Sequence, residues 1–341
     1  MKLIYIYLSK KGCLDYTLAT IKKDIRAEPI IFISKSNASL FEANFPSLDL
    51  RHIDLHQTKI ELVLGVFKFK NIFFRLLAEL HYENIKAKFV LTAFHPYNYL
   101  ILKWLNGTNF IASVTIHEFI THTGERSLLI EAIQAQCIKL ADEVLFLSSY
   151  VKEQASSKLG SHDKFHLAQH PLIKLGIKNS LPYNKSPSVL FLGRIVAYKG
   201  VDLLIKACRD LPIQQLTIAG QNFGVRIPEG QKLKIIAKHL SPQEIDELIG
   251  VHEILVLPYL EASQSGIISL GIAAEMVMVI TKVGGLQEQL SSSSAIWVEP
   301  NQNSLRSGIL ALIENKDLYD SIKKNIRTEK AQACDEVSNS R

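Results

Sequence analysis

Two cations, Arg194 and Lys199, stand five residues apart in the stretch FLGRIVAYKG, residues 191–200. The apolar run before them ends in Gly193, and a helical pattern opens at Gly200. A turn above a buried strand needs glycine and polar residues, but it has no use for two fixed positive charges. In open α/β sheets this position, outside the carboxyl end of a strand, is where ligands bind. The residue types therefore point to an anion, first of all a phosphate. Arginine offers it a rigid fork of donors and lysine a compact charge. The plainer alternative is a solvated pair, each cation meeting a surface carboxylate.

A second polar cluster, EASQSG at 261–266, follows the apolar run EILVLPY. Backbone N–H groups at a helix start near Gly266, with the hydroxyls of Ser263 and Ser265, suit a phosphate. Glu261 does not; a carboxylate suits hydroxyl groups, such as those of a bound sugar. Helix capping by Ser265 is compatible with either reading. His117 closes another strand-like run, FIASVTIH, where its ring can face a ligand or serve as a structural hydrogen-bonder. Glu118, His122 and Glu125 follow it in EFITHTGE, placed for contacts to a second substrate or for support of His117. The two histidines of HEFITH are five residues apart with no third ligand, so no metal site is expected. Residues 59–76, KIELVLGVFKFKNIFFRL, mix four aromatics with Lys59, Lys68, Lys70 and Arg75. Such a helix can rest on an anionic bilayer or simply pack one apolar face on a sheet.

These residues need elements to position them, and the chain has length for two sets. At 341 residues it exceeds one ordinary core. Apolar residues are 47% and charged residues 21%, a globular composition. The net charge of +6 is modest, and residues 1–170 hold 20 Lys and Arg against 16 Asp and Glu. That is too weak a bias for nucleic acid; a membrane surface or phosphorylated small molecules fit better. The cysteines at 13, 137, 208 and 334 have neither metal-ligand nor disulfide spacing and read as reduced thiols, which suggests a cytoplasmic protein. MKLIYIYLSKKG reads as a first strand rather than a cleavable signal. No stretch has the ~18 apolar residues of a membrane span, so a soluble or at most peripheral protein is expected.

Strand-like runs at 3–9, 29–34, 88–94, 110–117 and 143–149 alternate with helical patterns, notably 60–80, 97–105 and 126–140. Continuous apolar strands separated by helices mean a parallel sheet covered on both faces. The alternation pauses at KNSLPYNKSPS, 178–188, which reads as a linker. It restarts with runs at 188–193, 215–220, 233–238, 253–259, 276–281 and 295–300. The expectation is a domain over 1–177, a second over 178–330, and a flexible polar tail over 331–341.

FLGRIVAYKGVDLLIKA, LTIAG, LPYLEASQSGIISL and ITKVGGLQE, in this order, resemble the C-terminal domain of retaining glycosyltransferases of family 4. TIHEFITHTGE and LADEVLFLSSYVKE resemble the first domain more weakly, and YLSKKGCLDYTL, with Gly12, occupies the place of the family's glycine-rich loop. The resemblance implies an α/β GT-B fold: two Rossmann-like, doubly wound domains facing across a cleft, acceptor on the first and donor on the second. It implies that Arg194 and Lys199, with Gly193, hold the donor diphosphate without a metal. It makes Glu261 the first carboxylate of the family's paired-glutamate motif, with Ser263, Gln264, Ser265 and Gly266 completing the donor loop. His117 would meet a sugar hydroxyl or the oxocarbenium-like state. Residues 236–240, with His239 and Leu240, would lie beside the nucleobase, after which Ser241 and Glu244 form a capping box.

Two positions depart from the family pattern. The second glutamate, eight residues after the first, is Ser269, or Leu270 when counted from Gly284 and Gly285. A turn that usually carries Gly and then Pro reads Glu275, Met276, Val277. The function implied is sugar transfer from a nucleoside-diphosphate sugar to a glycan or lipid-linked acceptor, with no cofactor, for surface polysaccharide at the inner face of the cell membrane. A GT-B nucleotide-sugar epimerase and a non-catalytic nucleotide-sugar binder are the alternatives.

Overall fold

The computed structural model describes residues 1–9, 13–53, 59–123, 127–168 and 179–339. The chain forms two compact units, Met1–Thr121 with Ser127–Pro171, and His122–Arg126 with Leu172–Arg341. The boundary expected between 177 and 178 lies outside the described residues, as do Gly12 and Glu125.

In the first unit β1 (Lys2–Tyr7), α1 (Leu14–Lys23), β2 (Ile30–Ser34), α2 (Ala38–Asn44), β3 (Leu50–Ile53) and α3 (Lys59–Tyr82) come first. They are followed by β4 (Ala87–Leu91), α4 (Tyr97–Leu105), β5 (Ile111–Ile116), α5 (Leu128–Leu140), β6 (Glu143–Phe146), α6 (Ser149–Leu159) and β7 (Phe165–Leu167). The strands make one parallel sheet in the order β3-β2-β1-β4-β5-β6-β7, with Ile4 level with Ile30 on one side and Phe89 on the other. Side chains alternate across a strand, so β1 sends Ile4 and Ile6 into one core and Tyr5 and Tyr7 into the other. The long helix α3 buries Phe69, Phe73, Leu76 and Leu80 against the first of these, a spacing of three and four that keeps one face inward.

The second unit repeats the plan with β8 (Ser188–Leu192), α7 (Val201–Cys208), β9 (Gln215–Ala219), β10 (Leu233–Ile236), α8 (Pro242–Gly250) and β11 (Ile254–Leu257). It ends with α9 (Gly266–Ala274), β12 (Val277–Thr281), β13 (Ile296–Val298), α10 (Gln302–Glu314) and α11 (Lys316–Asn339). Its parallel sheet has the order β10-β9-β8-β11-β12-β13. β8, β11 and β12 are buried at every residue, which is why they read as unbroken apolar runs.

Three expectations change. β3 and β7, absent from the sequence reading, form the two edges of the first sheet. The stretch read as a linker is fastened to the second unit from residue 179 onward. Asn179 is fully buried and its Nδ2 donates to the carbonyls of Ile249 and His252 at 2.6 and 2.7 Å; the buried Lys323 donates to the Leu181 carbonyl at 2.6 Å. Residues 331–339, read as a polar tail, continue α11.

Candidate functional site

Strand order reverses between β8 and β11, so the loops above these two strands flank the point where a doubly wound sheet takes its ligand. The β8 loop holds the two cations. Ala197–Lys199 form one 3₁₀ turn, and Gly200 follows at φ +65° with α7 starting behind it. A Cβ at Gly200 would lie 2.0 Å from the Pro258 carbonyl oxygen; only glycine lets the two loops approach this closely. Leu260 N–H donates to the Tyr198 carbonyl at 2.7 Å and fastens one loop to the other.

Within this frame each cation rests on a tyrosine. Arg194 Nη2 donates to the Tyr198 hydroxyl at 2.9 Å. Lys199 Nζ donates to the Tyr259 hydroxyl at 3.1 Å and lies 4.5 Å from the centre of that ring. A Cβ added at Gly193 would come within 3.3 Å of the same ammonium. No carboxylate of the described residues is within 4.0 Å of Lys199. No carboxylate of the described residues offsets the ammonium, and a lysine has three donors of which the tyrosine takes one.

The β11 loop runs from Pro258 to Ser265. The buried Tyr259 is held by its carbonyl, which accepts from Thr281 Oγ1 at 2.7 Å, and its hydroxyl lies 3.3 Å from Ser265 Oγ. Ser265 caps α9, its Oγ accepting from Ile267 N–H at 3.3 Å. Gln289 clamps Ser265 from both sides, accepting its N–H at 2.7 Å and donating to its carbonyl at 3.2 Å. Ser263 is buried, while Gln264 and Gly266 are half-buried at the entry to α9. A helix N-terminus carries positive partial charge, so it adds to the field of the two cations.

Glu261 lies half-exposed on this loop and faces His122 and Thr123, which fall in the same unit. Thr123 donates to it twice, from its backbone N–H at 3.0 Å and from its hydroxyl. His122 Nδ1 is 3.7 Å away, and the His122 ring stacks on Tyr198 at 4.4 Å. The Thr123 hydroxyl, then its N–H, with His122 a smaller contributor, hold the Glu261 carboxyl below its ordinary range.

In the first unit the strand order reverses between β1 and β4. His117, just past β5, has Nε2 2.8 Å from the carbonyl of Thr92, which follows β4. Tyr16 of α1 meets its ring edge-on at 4.9 Å, and Thr17 and Thr92 share a hydroxyl contact at 2.7 Å. Nearby in the β4 loop, burial lowers His95 to about 4, and its Nδ1 accepts from Tyr97 N–H at 3.1 Å. The carbonyl of Glu118 accepts from Gln134 Nε2 at 2.9 Å.

The structure thus brings Gly193, Arg194, Lys199, Glu261 and the 263–266 loop together, with His122 beside Glu261 rather than grouped with His117. His239 is exposed on the loop from β10 to α8, whereas the Leu240 side chain joins the core. Ser241 and Glu244 do form a capping box. Ser269 and Leu270 are buried within α9. Among the described residues no group of three His, Cys, Asp or Glu is placed to hold a metal. Sequence reasoning missed Tyr198, Tyr259, Thr123, Gln289 and His95. The signal for the two tyrosines was their adjacency to Lys199 and to the EASQSG loop.

Two doubly wound parallel sheets in one chain, each reversing order at its first strand, are the two-domain α/β fold of GT-B glycosyltransferases. Solved structures share it over nearly the whole chain. A glycosyltransferase from Rickettsia africae matches with TM-score 0.70 and 16% identity, covering 97% of this chain and 93% of that one. HepE of Anabaena in complex with UDP-glucose matches with TM-score 0.73 and 14% identity, covering 100% and 99%. Sucrose-phosphate synthase from Thermosynechococcus elongatus matches with TM-score 0.73 and 15% identity, covering 98% and 94%. Residues 175–329 match the model of the family "Glycosyl transferases group 1". An uncharacterised glycosyltransferase of Methanocaldococcus jannaschii is 26% identical over 195 residues, 54% of this chain. The match spans about half of that relative, 53% of its length.

Proposed function

We propose that this protein transfers a sugar from a nucleoside-diphosphate sugar to a glycan or lipid-linked acceptor, with retention of configuration and without a metal. The observation that carries the reading is Lys199: an ammonium held by a tyrosine rather than a carboxylate, beside Arg194 and the start of α9, above β8 and β11. In transfer the bond between the sugar C1 and the diphosphate oxygen breaks, and the acceptor oxygen bonds C1 and loses its proton. The diphosphate gains charge as it leaves, so both cations stabilise the transition state more than the ground state. Glu261 takes sugar hydroxyls, and the first unit takes the acceptor, with His117 held by the Thr92 carbonyl to meet a sugar hydroxyl. The structural relative HepE was solved with UDP-glucose, which supports a nucleotide-sugar donor.

The acceptor side has support from α3. No helix of the described residues is long and apolar enough to cross a membrane. The outer face of α3, however, exposes Phe67 (72%) and Phe74 (43%) among Lys68, Lys70 and Arg75, a face suited to an anionic bilayer carrying a lipid-linked acceptor in surface polysaccharide synthesis. The chain then works on the cytoplasmic side of that membrane.

The test is titration of the full chain with UDP, GDP and ADP and their glucose derivatives. One nucleotide binds, and Arg194→Ala and Lys199→Ala each weaken it about ten- to hundredfold, the cost of a charge-assisted hydrogen bond. Unchanged affinity in both variants overturns the phosphate assignment. Activity that vanishes with a chelator and returns with magnesium or manganese overturns the metal-free part. A second reading, a nucleotide-sugar binder without turnover, is favoured by the lack of a carboxylate at the buried Ser269 and Leu270 in α9, where the family's second carboxylate would stand. Firm nucleotide binding with no release of diphosphate from any sugar nucleotide decides for it.

A further inference from the structure

Both oxygens of Glu261 are engaged by a single residue 138 positions away in the chain. Oε2 accepts the Thr123 backbone N–H at 3.0 Å and Oε1 accepts the Thr123 hydroxyl. The Glu261 side chain is 43% exposed, and a glutamate that open to water loses rotamer freedom only where something holds it. Two donors, one per oxygen, fix the plane of the carboxylate and leave one lone-pair direction on each oxygen for other donors. Any residue but proline at 123 would supply the N–H. The second bond needs a hydroxyl, and the β-branched threonine presents it on a stiff χ1. The preceding residue reinforces the placement, because the His122 ring, stacked on Tyr198, joins the same dipeptide to the tyrosine that receives Arg194.

We propose that Thr123 is a positioning residue for Glu261, aligning its carboxylate to accept the hydroxyls of the donor sugar. This rests on the donor reading above. The N–H bond alone allows the carboxylate to swing about Oε2; the hydroxyl bond removes that freedom before the sugar arrives, so less ordering remains for binding or for the transition state.

The test uses the full chain with Thr123→Val, Thr123→Ser and Glu261→Gln, and the Thr123→Val/Glu261→Gln double variant. The probes are UDP and UDP-glucose, or the GDP or ADP pair if that binds instead. Two quantities report on the sugar: affinity for the nucleotide sugar relative to the free diphosphate, and the rate of diphosphate release when water is the acceptor. Thr123→Val is expected to leave diphosphate affinity within about twofold while one or both sugar readouts fall about tenfold or more. Thr123→Ser restores them to within about threefold. In the Glu261→Gln background the same valine costs far less, because the two residues act through one interaction. Wild-type readouts in Thr123→Val, or a loss equally large in the Glu261→Gln background, overturn the assignment and leave Thr123 a loop residue. A wild-type chain that binds none of the diphosphates fails earlier, at the donor reading, and takes the assignment with it.

Discussion

Lys199 and Glu261 show how neighbours decide what a charged side chain is for. A tyrosine hydroxyl and ring hold the Lys199 ammonium in place without neutralising it, so Tyr259→Phe should keep the ring contact and lose one neutral partner. Diphosphate affinity should then fall about three- to tenfold, less than in Lys199→Ala, in the same titration; a loss as large as that of Lys199→Ala would mean that the hydroxyl alone positions the charge. For Glu261 the sign of the pH effect follows from its partners. Its carboxyl is lowered first by the Thr123 hydroxyl, then by the Thr123 N–H, with His122 the titratable group that faces it. A lowered value keeps the carboxylate charged as pH falls. Removing the hydroxyl raises it, so the acid limb of kcat/KM should move to higher pH in Thr123→Val and return in Thr123→Ser. An acid limb that stays in place in the valine variant counts against Glu261 as the group it reports. Arg194, Lys199 and Glu261 were legible in the sequence because charge at a strand end has no packing purpose. Tyr259 was not, since a tyrosine ending an apolar run reads as core. Thr123 was hidden because its partner comes from 138 residues away.

At the scale of elements, burial decided what could be read. Strands covered on both faces, such as β8 and β11, gave continuous apolar runs. The edge strands β3 and β7 are half exposed and carry Arg51, His52 and His166, so they lost that signature. Proline and serine made 178–188 look like a free linker, although Asn179 and the Tyr183 hydroxyl bond into the second unit. The turn between α9 and β12, where the resembling family has Gly and Pro, follows a related logic. Glu275 caps α9 in the left-handed region, φ 58° and ψ 37°, a conformation costing about 1–2 kcal/mol outside glycine. Its carboxylate meets Arg327 at 3.0 Å and Lys330 at 3.1 Å, three residues apart on one face of α11. The departure thus exchanges a relaxed turn for an anchor on α11. Glu275→Ala keeps the strained φ and loses both partners, whereas Glu275→Gly loses the partners but relaxes the turn. The alanine variant should therefore melt lowest, about 2–4 °C below the glycine variant, which differs from it by about 1 kcal/mol. A glycine variant that melts below the alanine one by calorimetry would refute the backbone argument.

For the whole molecule, the alternation of apolar runs and helices announced two doubly wound sheets, and the pause before Ser188 announced a second start. Net charge said less. A surplus of +6 over 341 residues is a weak bias for a nucleic-acid surface and does not show where a charged face lies. The membrane face proposed above lies on α3. Its inner side is spent on Phe69, Phe73, Leu76 and Leu80. Its outer side sets Phe67, Lys70 and Phe74 along one stripe, with the Lys70 ammonium 5.6 Å over the Phe74 ring, and Lys68, Ile72 and Arg75 along the next. Lysines beside phenylalanines work in two ranges on an anionic bilayer. The charges add about 1 kcal/mol each near the surface and fade within a Debye length of about 10 Å at 0.1 M salt, while buried rings are indifferent to salt. The full chain should therefore sediment with phosphatidylglycerol vesicles more than with phosphatidylcholine vesicles, and less as salt rises. Lys68→Gln with Lys70→Gln should weaken binding about tenfold or more at low salt and little at high salt. Phe67→Ser with Phe74→Ser should weaken it about tenfold or more at both. Equal binding to neutral and anionic vesicles, or binding untouched by the phenylalanine pair, would remove α3 from the membrane and leave the lipid-linked acceptor without support.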